Sequence, residues 1–449
     1  MSEGAMKARP GNGGTGTSPS ELVLRGGTVI DATGSRRADV RVVDGRVAEV
    51  AEGLDAPVGA TVLDAGGCVV TPGLVDLHTH LREPGREEAE TVESGTRAAA
   101  LGGFTAVVAM PNTDPPLDSA ESVRNVFALA EGAMAQVAVA GAITVGRAGE
   151  RLAPMAELAA LGVRLFTDDG DGVQSAGLMR RALQYATGLG VILGQHCEDR
   201  SLAAGGTMHE GAWSSRLGLP GMPSEAEEVM VARDIALSRA TGGRVHFLHL
   251  STAGSIDLVR RARAEGVPVT AEVAPHHFTL TDGCAAEYDP VFKVNPPLRP
   301  QADVDAVKAA LVDGTADAIA TDHAPHAPEL KDLPFDQAPP GMLGLQTALA
   351  LATTELDLPI ERIVALLSWQ PAAIAGLDPA HGGTQGGPIE PGAVANLCVI
   401  DPTANWTVDP TALASRSRNT PYAGRKLTGR VRHTVLAGDP VVIDAEAQR

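Results

Sequence analysis

Apolar residues follow two regimes along the chain. From residue 21 to about 70, β-branched runs are cut by Gly and Asp-Gly turns: "LVLRGGTVID", "ADVRVVDGRVAEV" and "TVLDAGGCVV". That is strand-and-turn punctuation. The C-terminal stretches "ANLCVIDP", "NWTVDP" and "VRHTVLAGDPVV" repeat it. In between, short apolar runs recur: "LVDLH", "TAVVAM", "QVAVAGA", "VRLF", "VILGQH", "RVHFLHL", "VPVTAEV" and "DAIATD". Most are separated by helix-compatible segments such as "EAETVESGTRAAALGG" and "EAEEVMVARDIALSRATGG", whose closing glycines suit helix C-caps.

Eight strand-like runs alternating with helical stretches predict an α/β fold, a (β/α)8 TIM-like barrel. The two strand-rich ends predict one small β-sandwich assembled from both termini. The expected division is a disordered tail over 1–20, the N-terminal part of the sandwich over 21–72, a metal-dependent hydrolase barrel over 73–385, and the C-terminal part of the sandwich over 386–449. A doubly wound open sheet is the alternative. It would normally carry a glycine-rich phosphate loop after its first strand, and the sequence shows none.

Composition narrows the partners. The chain has 449 residues, 44% hydrophobic and 20% charged, as in ordinary globular enzymes. A net charge of −19 argues against nucleic acid or an anionic membrane surface as partner. A small anionic substrate stays open, because local arginines can override the global field. No apolar run approaches the roughly 18 residues of a membrane span. The four cysteines form no CxxC pair and read as free thiols in a reducing cytoplasm. Lysines are few (Lys7, Lys293, Lys308, Lys331 and Lys426), so none falls between Ala8 and Phe292.

In a barrel, functional side chains gather at the C-terminal ends of the strands. His78 and His80 close the run "LVDLH" one residue apart, so they share one face and can bind one divalent ion. Asp168 and Asp169 follow "VRLF", His196 ends "VILGQH", His249 closes "RVHFLHL", and Asp322 ends "DAIATD". Four histidines and two aspartates at strand ends suffice for two zinc-like ions sharing a bridge. Chemistry alone does not choose between Asp168 and Asp169. His209, His381 and His433 read as surface residues, and His246 as packing on the opposite face. His276 and His277 read as structural or supporting rather than ligating. His323 stays ambiguous, and His326 is within reach of a substrate. Arg82 alternates onto the histidine face, where its guanidinium fork suits a carboxylate; the rival is a surface salt bridge to Glu83 or Glu87.

Taken together, "VDLHTHLREPG", "AMPNTDPP", "FTDDG", "LGQHCED", "HFLHLST", "EVAPHHF", "KVNPPLR", "TDHAPH" and "PPGMLGLQ" resemble dihydroorotases of the amidohydrolase superfamily, in order from about residue 21 to 440. The resemblance implies reversible cyclisation of N-carbamoyl-L-aspartate to L-dihydroorotate in pyrimidine synthesis, in the cytoplasm. It implies Zn2+, one or two ions per chain with two favoured, on His78, His80, Asp169, His196, His249 and Asp322. Asp322 would be the general acid and base. Substrate contacts carry over to His80, Arg82, Asn112, Asn295, His326, Pro340 and Gly341. Many relatives bridge their metals with a carboxylated lysine. This chain has none near "RLFTDDG", as in the branch that uses aspartate. The loop "APHAPELKDLPFDQAPPGM" reads as a mobile lid or pocket wall. Allantoinase- or dihydropyrimidinase-like hydrolases are the nearest rivals, and a non-catalytic scaffold for aspartate transcarbamoylase is a rival of another class. Assembly as a homo-oligomer or with that transcarbamoylase is left open.

Overall fold

The computed structural model describes residues 21–449; the expected N-terminal tail lies outside them. Eight strands form one sheet in sequential order: β1 (Leu74–Thr79), β2 (Phe104–Ala109), β3 (Gln136–Gly141), β4 (Leu165–Thr167), β5 (Ile192–Gln195), β6 (Val245–Phe247), β7 (Val269–Val273) and β8 (Ala318–Ile319). Neighbouring strands run parallel. The sheet closes on itself through a parallel bridge between Thr79 and His323 and a 2.9 Å bond from His80 N to His323 O. Asp76 reinforces this seam. Its carboxylate accepts from Thr321 N and Thr321 Oγ1, both at 2.7 Å, and from Thr79 Oγ1. The eight apolar runs of the sequence are therefore the eight staves of a barrel.

Every residue of β1 and β2 is buried, as expected of strands covered on both faces. Inside the barrel, Leu77, Val108, Ala140, Leu165, Ile192 and Ala318, one from each of six strands, form a single apolar cluster. The helix Glu225–Thr241 ends on Gly242, whose φ of 71° is the left-handed cap the sequence suggests. The helix Val92–Leu101 ends differently: Gly102 stays right-handed, and Gly103 makes the turn at φ 87°.

The chain ends build two further sheets. One has four strands, all N-terminal: Arg46–Ala51, Asp39–Val43, Glu21–Arg25 and Thr61–Asp64. The other has seven and mixes the termini, with Val69–Pro72 pairing antiparallel to Leu397–Thr407. Leu22, Val40, Val70, Val399 and Val435 from both sheets share one core. His433 joins them. Its Nε2 donates to Asp64 O at 3.1 Å, and its Nδ1 accepts from Asp444 N. His433 is thus buried rather than on the surface, because a strand-facing imidazole here satisfies two backbone groups. His209 is buried too, in a two-strand ladder (Met208–His209 with Gly221–Met222) inserted between β5 and β6. Arg299 Nη1 donates to its Nδ1 at 3.1 Å. His381 is exposed as expected.

Gly73 joins the sandwich strand to β1 with no room for a side chain: a Cβ there would lie 2.0 Å from Thr105 Oγ1. Gly73→Ala should cost about 1–3 kcal/mol by overpacking. Gly188 lies in the helix Ala176–Leu189 with open space around a Cβ, so Gly188→Ala should stabilise by about 0.5–1 kcal/mol. Opposite shifts of the urea midpoint check the pair.

Candidate metal centre

Six buried side chains meet at the C-terminal mouth of the barrel. His78 lies in β1 and His80 just beyond it. Asp169 follows β4 by two residues, His196 follows β5 by one, His249 follows β6 by two, and Asp322 follows β8 by three. His249 and Asp322 hold positive φ, 32° and 47°. Such backbone persists only where the surroundings over-determine it, and it clusters at functional sites.

The donor atoms form two groups that share Asp169. Its Oδ2 lies 3.4 Å from His78 Nε2 and 3.6 Å from His80 Nε2. Its Oδ1 lies 3.5 Å from both His196 Nδ1 and His249 Nε2, which are 3.1 Å apart. Asp322 Oδ1 completes the first group, 3.2 Å from His80 Nε2 and 3.6 Å from His78 Nε2. Ligands of a tetrahedral ion at about 2.0–2.2 Å stand about 3.3–3.6 Å from one another. The spacings therefore match the edges of two coordination shells joined by one carboxylate. His78 Nε2 and Asp169 Oδ1 are buried with no hydrogen-bond partner among the described residues, as donors reserved for a cation would be. Two overlapping triads, His78 with His80 and Asp322, and His78 with Asp169 and His249, are compact enough to hold an ion. Asp168 does not join them. Its carboxylate accepts from Ile143 N, Thr144 N and Thr144 Oγ1.

Charge in the cluster is balanced only by positive charge. Burial alone pushes the Asp169 carboxyl up, but the surrounding histidines outweigh it and hold it well below the usual range. Asp322 behaves alike, with His80 the chief counterweight to burial. Burial disfavours a charged His78, yet Asp169 prevails and holds its pKa well above the ordinary value.

Three of the four outward ring nitrogens face acceptors; His249 Nδ1 is buried with no partner among the described residues. His78 Nδ1 bonds Glu272 Oε1 at 3.0 Å, His80 Nδ1 bonds Asn112 Oδ1 at 2.9 Å, and His196 Nε2 lies 3.5 Å from Glu198 Oε2. A ligating histidine characteristically donates its other N–H in this way, which fixes tautomer and ring plane. Glu272 and Glu198 are absent from the sequence reading. A lone charge inside the apolar run "VPVTAEV" was the available signal for Glu272. Glu272 also takes His246 Nε2 at 3.0 Å, so the histidine read as packing braces this network.

Beside the donors lies a cavity of about 220 Å³, lined by His80, Arg82, Arg86, Asn112, Asn295, His326, Pro340 and Gly341 among others. It is smaller than a typical drug-sized pocket and suits a small ring. A larger cavity of about 460 Å³ beneath Pro388 has only Arg46 and Glu390 as charged lining, and no cluster of ligating groups. Arg82 is buried and donates Nε–H to Pro325 O at 3.1 Å; its Nη2 lies 3.4 Å from His326 Nε2. No carboxylate pairs with it among the described residues. Glu83 instead caps Val92 N, and Glu87 takes Gly85 N. Burial, and then the nearby Arg86 charge, pull the Arg82 pKa down to about 10.

Because Asn112 Oδ1 is occupied by His80, its amide N–H groups are left for a ligand. Asn295 Nδ2 bonds Glu198 Oε2 at 2.7 Å. His326 Nε2 donates to Pro340 O at 2.8 Å. Pro340 has no N–H and the Gly341 N–H is spent on Lys293 O, so these two form wall rather than free donors. A Cβ on Gly341 would lie 2.7 Å from His326 Nε2. The loop between Ala324 and Met342 includes one helical turn, Pro328–Lys331, that the sequence pattern did not suggest. Lys331 Nζ pins it by donating to Pro290 O, Lys293 O and Pro339 O.

A family model described as Dihydro-orotase-like matches residues 67–255. A dihydroorotase of Pelotomaculum thermopropionicum is 50% identical over 431 residues, spanning 94% of this chain and 99% of that protein. One from Streptomyces coelicolor is 47% identical over 434 residues, 95% of this chain and 99% of its own length. Among solved structures, a D-hydantoinase (dihydropyrimidinase) from Thermus sp. superimposes with a TM-score of 0.81 at 27% identity, covering 95% of this chain and 96% of the other. An L-hydantoinase from Arthrobacter aurescens gives 0.83 at 24% identity, with coverage of 95% and 97%, and speaks to the fold alone. No helix among the described residues is long and apolar enough to cross a membrane.

Gently purified protein should carry one to two zinc-like ions per chain by elemental analysis. Asp169→Ala, which removes a donor from both groups, should lose most of that metal. A wild-type content under about 0.3 per chain would contradict a tight site of this kind.

Proposed function

We infer the chemistry of the site from one premise: the chain belongs to the dihydroorotase family. It is an enzyme of the amidohydrolase type acting on a small molecule, and the reaction is the reversible closure of N-carbamoyl-L-aspartate to L-dihydroorotate. The observation that carries the substrate reading is Arg82, a buried guanidinium with no carboxylate partner among the described residues. A charge held out of water is costly until an opposite charge meets it. A carboxylate-bearing ring supplies that charge.

The six donors fit Zn2+, and we favour two ions, because each oxygen of Asp169 faces its own pair of histidines. When bound, an ion of this kind polarises a carbonyl and lowers the pKa of a bound water from about 15.7 to about 7. The chain's own residues do the rest. In ring opening, Asp322 takes a proton from the attacking water and delivers it to the ring nitrogen as the C–N bond breaks. In closure it takes the proton from the carbamoyl nitrogen as the C–N bond forms and gives it to the oxygen that departs as the C–O bond breaks. It is held ionised in the resting site and so is ready to accept.

Arg82 pairs with the carboxylate, and the Asn112 amide adds an N–H to it. His326, Asn295 and the Pro340–Gly341 wall orient the ring. A cytoplasmic setting suits this biosynthetic role. Allantoinase- and dihydropyrimidinase-like readings bring neutral rings, which leave Arg82 unpaired. A non-catalytic scaffold has no need of six converging donors.

Asp322→Asn should lower kcat about 10²- to 10⁴-fold with the fold intact by circular dichroism; half-maximal activity in that variant would remove Asp322 as acid and base. Arg82→Met should lower kcat/KM for dihydroorotate roughly ten- to hundredfold, since a charged hydrogen bond is worth about 1.5–3 kcal/mol. Metal content should hold, and the gap to hydantoin and dihydrouracil should narrow. Wild-type protein that opens hydantoin as readily as dihydroorotate would favour the hydantoinase-like reading instead.

A further inference from the structure

Asp322 divides its carboxylate between two surroundings. Oδ1 faces the His78 and His80 Nε2 atoms described above. Oδ2 faces His276, with Nε2 3.9 Å away. His276 lies in the helical turn Pro275–Thr279 that follows β7. It is 3% exposed, and its Nε2 is buried with no hydrogen-bond partner among the described residues. The ring is held in place by its neighbour: His277 packs edge-on against it at 4.3 Å and is itself bonded to Pro296 O at 3.0 Å. His276 does not line the substrate cavity. It stands behind Asp322, out of reach of the ring being opened.

A buried imidazole nitrogen without a partner is rare and calls for an explanation. The nearby carboxylate oxygen of Asp322 offers one. At 3.9 Å the two atoms stand just beyond hydrogen-bond distance. We propose that His276 is a positioning residue for the acid–base aspartate: its Nε2–H holds Asp322 Oδ2 away from the histidine cluster, so that one oxygen stays with the ligating group and the other stays free to carry the proton. Without that donor both oxygens can swing toward the positive side of the site, and the base is lost while the donor set survives. This inference rests on reading Asp322 as the proton carrier of the dihydroorotase reaction. It assigns strand 7, whose end supplies no ligand, its part in the chemistry.

The test compares His276→Phe, which removes the donor, with His276→Gln, whose carboxamide can donate. With dihydroorotate as substrate, His276→Phe should lower kcat roughly ten- to hundredfold, the loss expected for a hydrogen bond to a charged group. KM and metal content should stay within about twofold of wild type, which general damage to the fold would not allow. His276→Gln should recover kcat to within about fivefold. In a crystal structure of the Phe variant the Asp322 carboxylate should be rotated, with Oδ2 turned toward His78 and His80. If His276→Phe does not fold, His276→Met carries the same expectations. A Phe or Met variant with wild-type kcat overturns the proposal, as does a Gln variant no better than Phe when both retain their metal. Wild-type protein inactive on dihydroorotate would remove the parent reading as well; active wild-type protein with an indifferent His276→Phe removes this inference alone.

Discussion

Asp169 cannot stay ionised where it is unless positive charge sits on both of its oxygens. It is 2% exposed, and removing a carboxylate from water costs several kcal/mol unless it is well paired. The chain supplies imidazoles rather than fixed cations: His78 and His80 on one oxygen, His196 and His249 on the other. Imidazoles can satisfy the carboxylate by protonating, or by sharing ions with it. The second solution also accounts for the spacing of the donors and for the unpartnered His78 Nε2. The barrel makes the solution available. No single strand could present these groups to one carboxylate, but the ends of β1, β5 and β6 converge with that of β4 on one mouth.

From that constraint the outer ring of acceptors follows. Each of three histidines that turns one nitrogen inward has an acceptor for the other, and those acceptors commit further groups in turn. Asn112 is the clearest case. With His80 Nδ1 donating to its carbonyl oxygen, the amide N–H groups are the donors it can turn to the cavity. One side chain thus touches both the donor cluster and the cavity. A site that fixes its histidine tautomers has also fixed which end of an amide meets the ligand, and the end it presents suits a carboxylate. Arg82 makes the same demand independently. A net charge of −19 does not decide the field in the cavity, which is set locally by a buried guanidinium with no carboxylate partner among the described residues.

The eight barrel strands were legible because each is a short apolar run with its polar chemistry at one end. The periodicity of side chains predicted that His78 and His80 would meet, and their ring centroids lie 5.1 Å apart. What escaped were groups whose role depends on a partner distant in sequence. Glu272 and Asp76 each look like one stray charge in an apolar run; their partners lie 194 and 245 residues away. Glu198 was hidden by standing next to the more conspicuous His196. His209 and His433 were read as surface residues for the opposite reason. A histidine in a turn-rich stretch looks exposed until the element that covers it is known, and neither Arg299 nor Asp64 is near in the chain. The helical turn Pro328–Lys331 is too short for a periodic signal and is held by three carbonyls from beyond it.

The adjacent aspartates show why residue chemistry alone does not choose between them. Both are buried, both are carboxylates, and they are consecutive. Their difference lies in the backbone turn. An aspartate side chain is short, so it reaches the donor cluster only if its main chain is brought to the mouth of the barrel. Asp168 does this. Its carboxylate ties the turn to Ile143 N and Thr144 N just beyond β3, and its carbonyl accepts from Asp171 N and Gly172 N as the chain reverses. Gly172, at φ 64°, leaves no space for a Cβ, which would lie 2.5 Å from His196 O. The turn is therefore packed directly against the strand end that carries another donor. One aspartate builds the turn and the next enters the donor cluster, so the pair sets a short side chain on a fixed support.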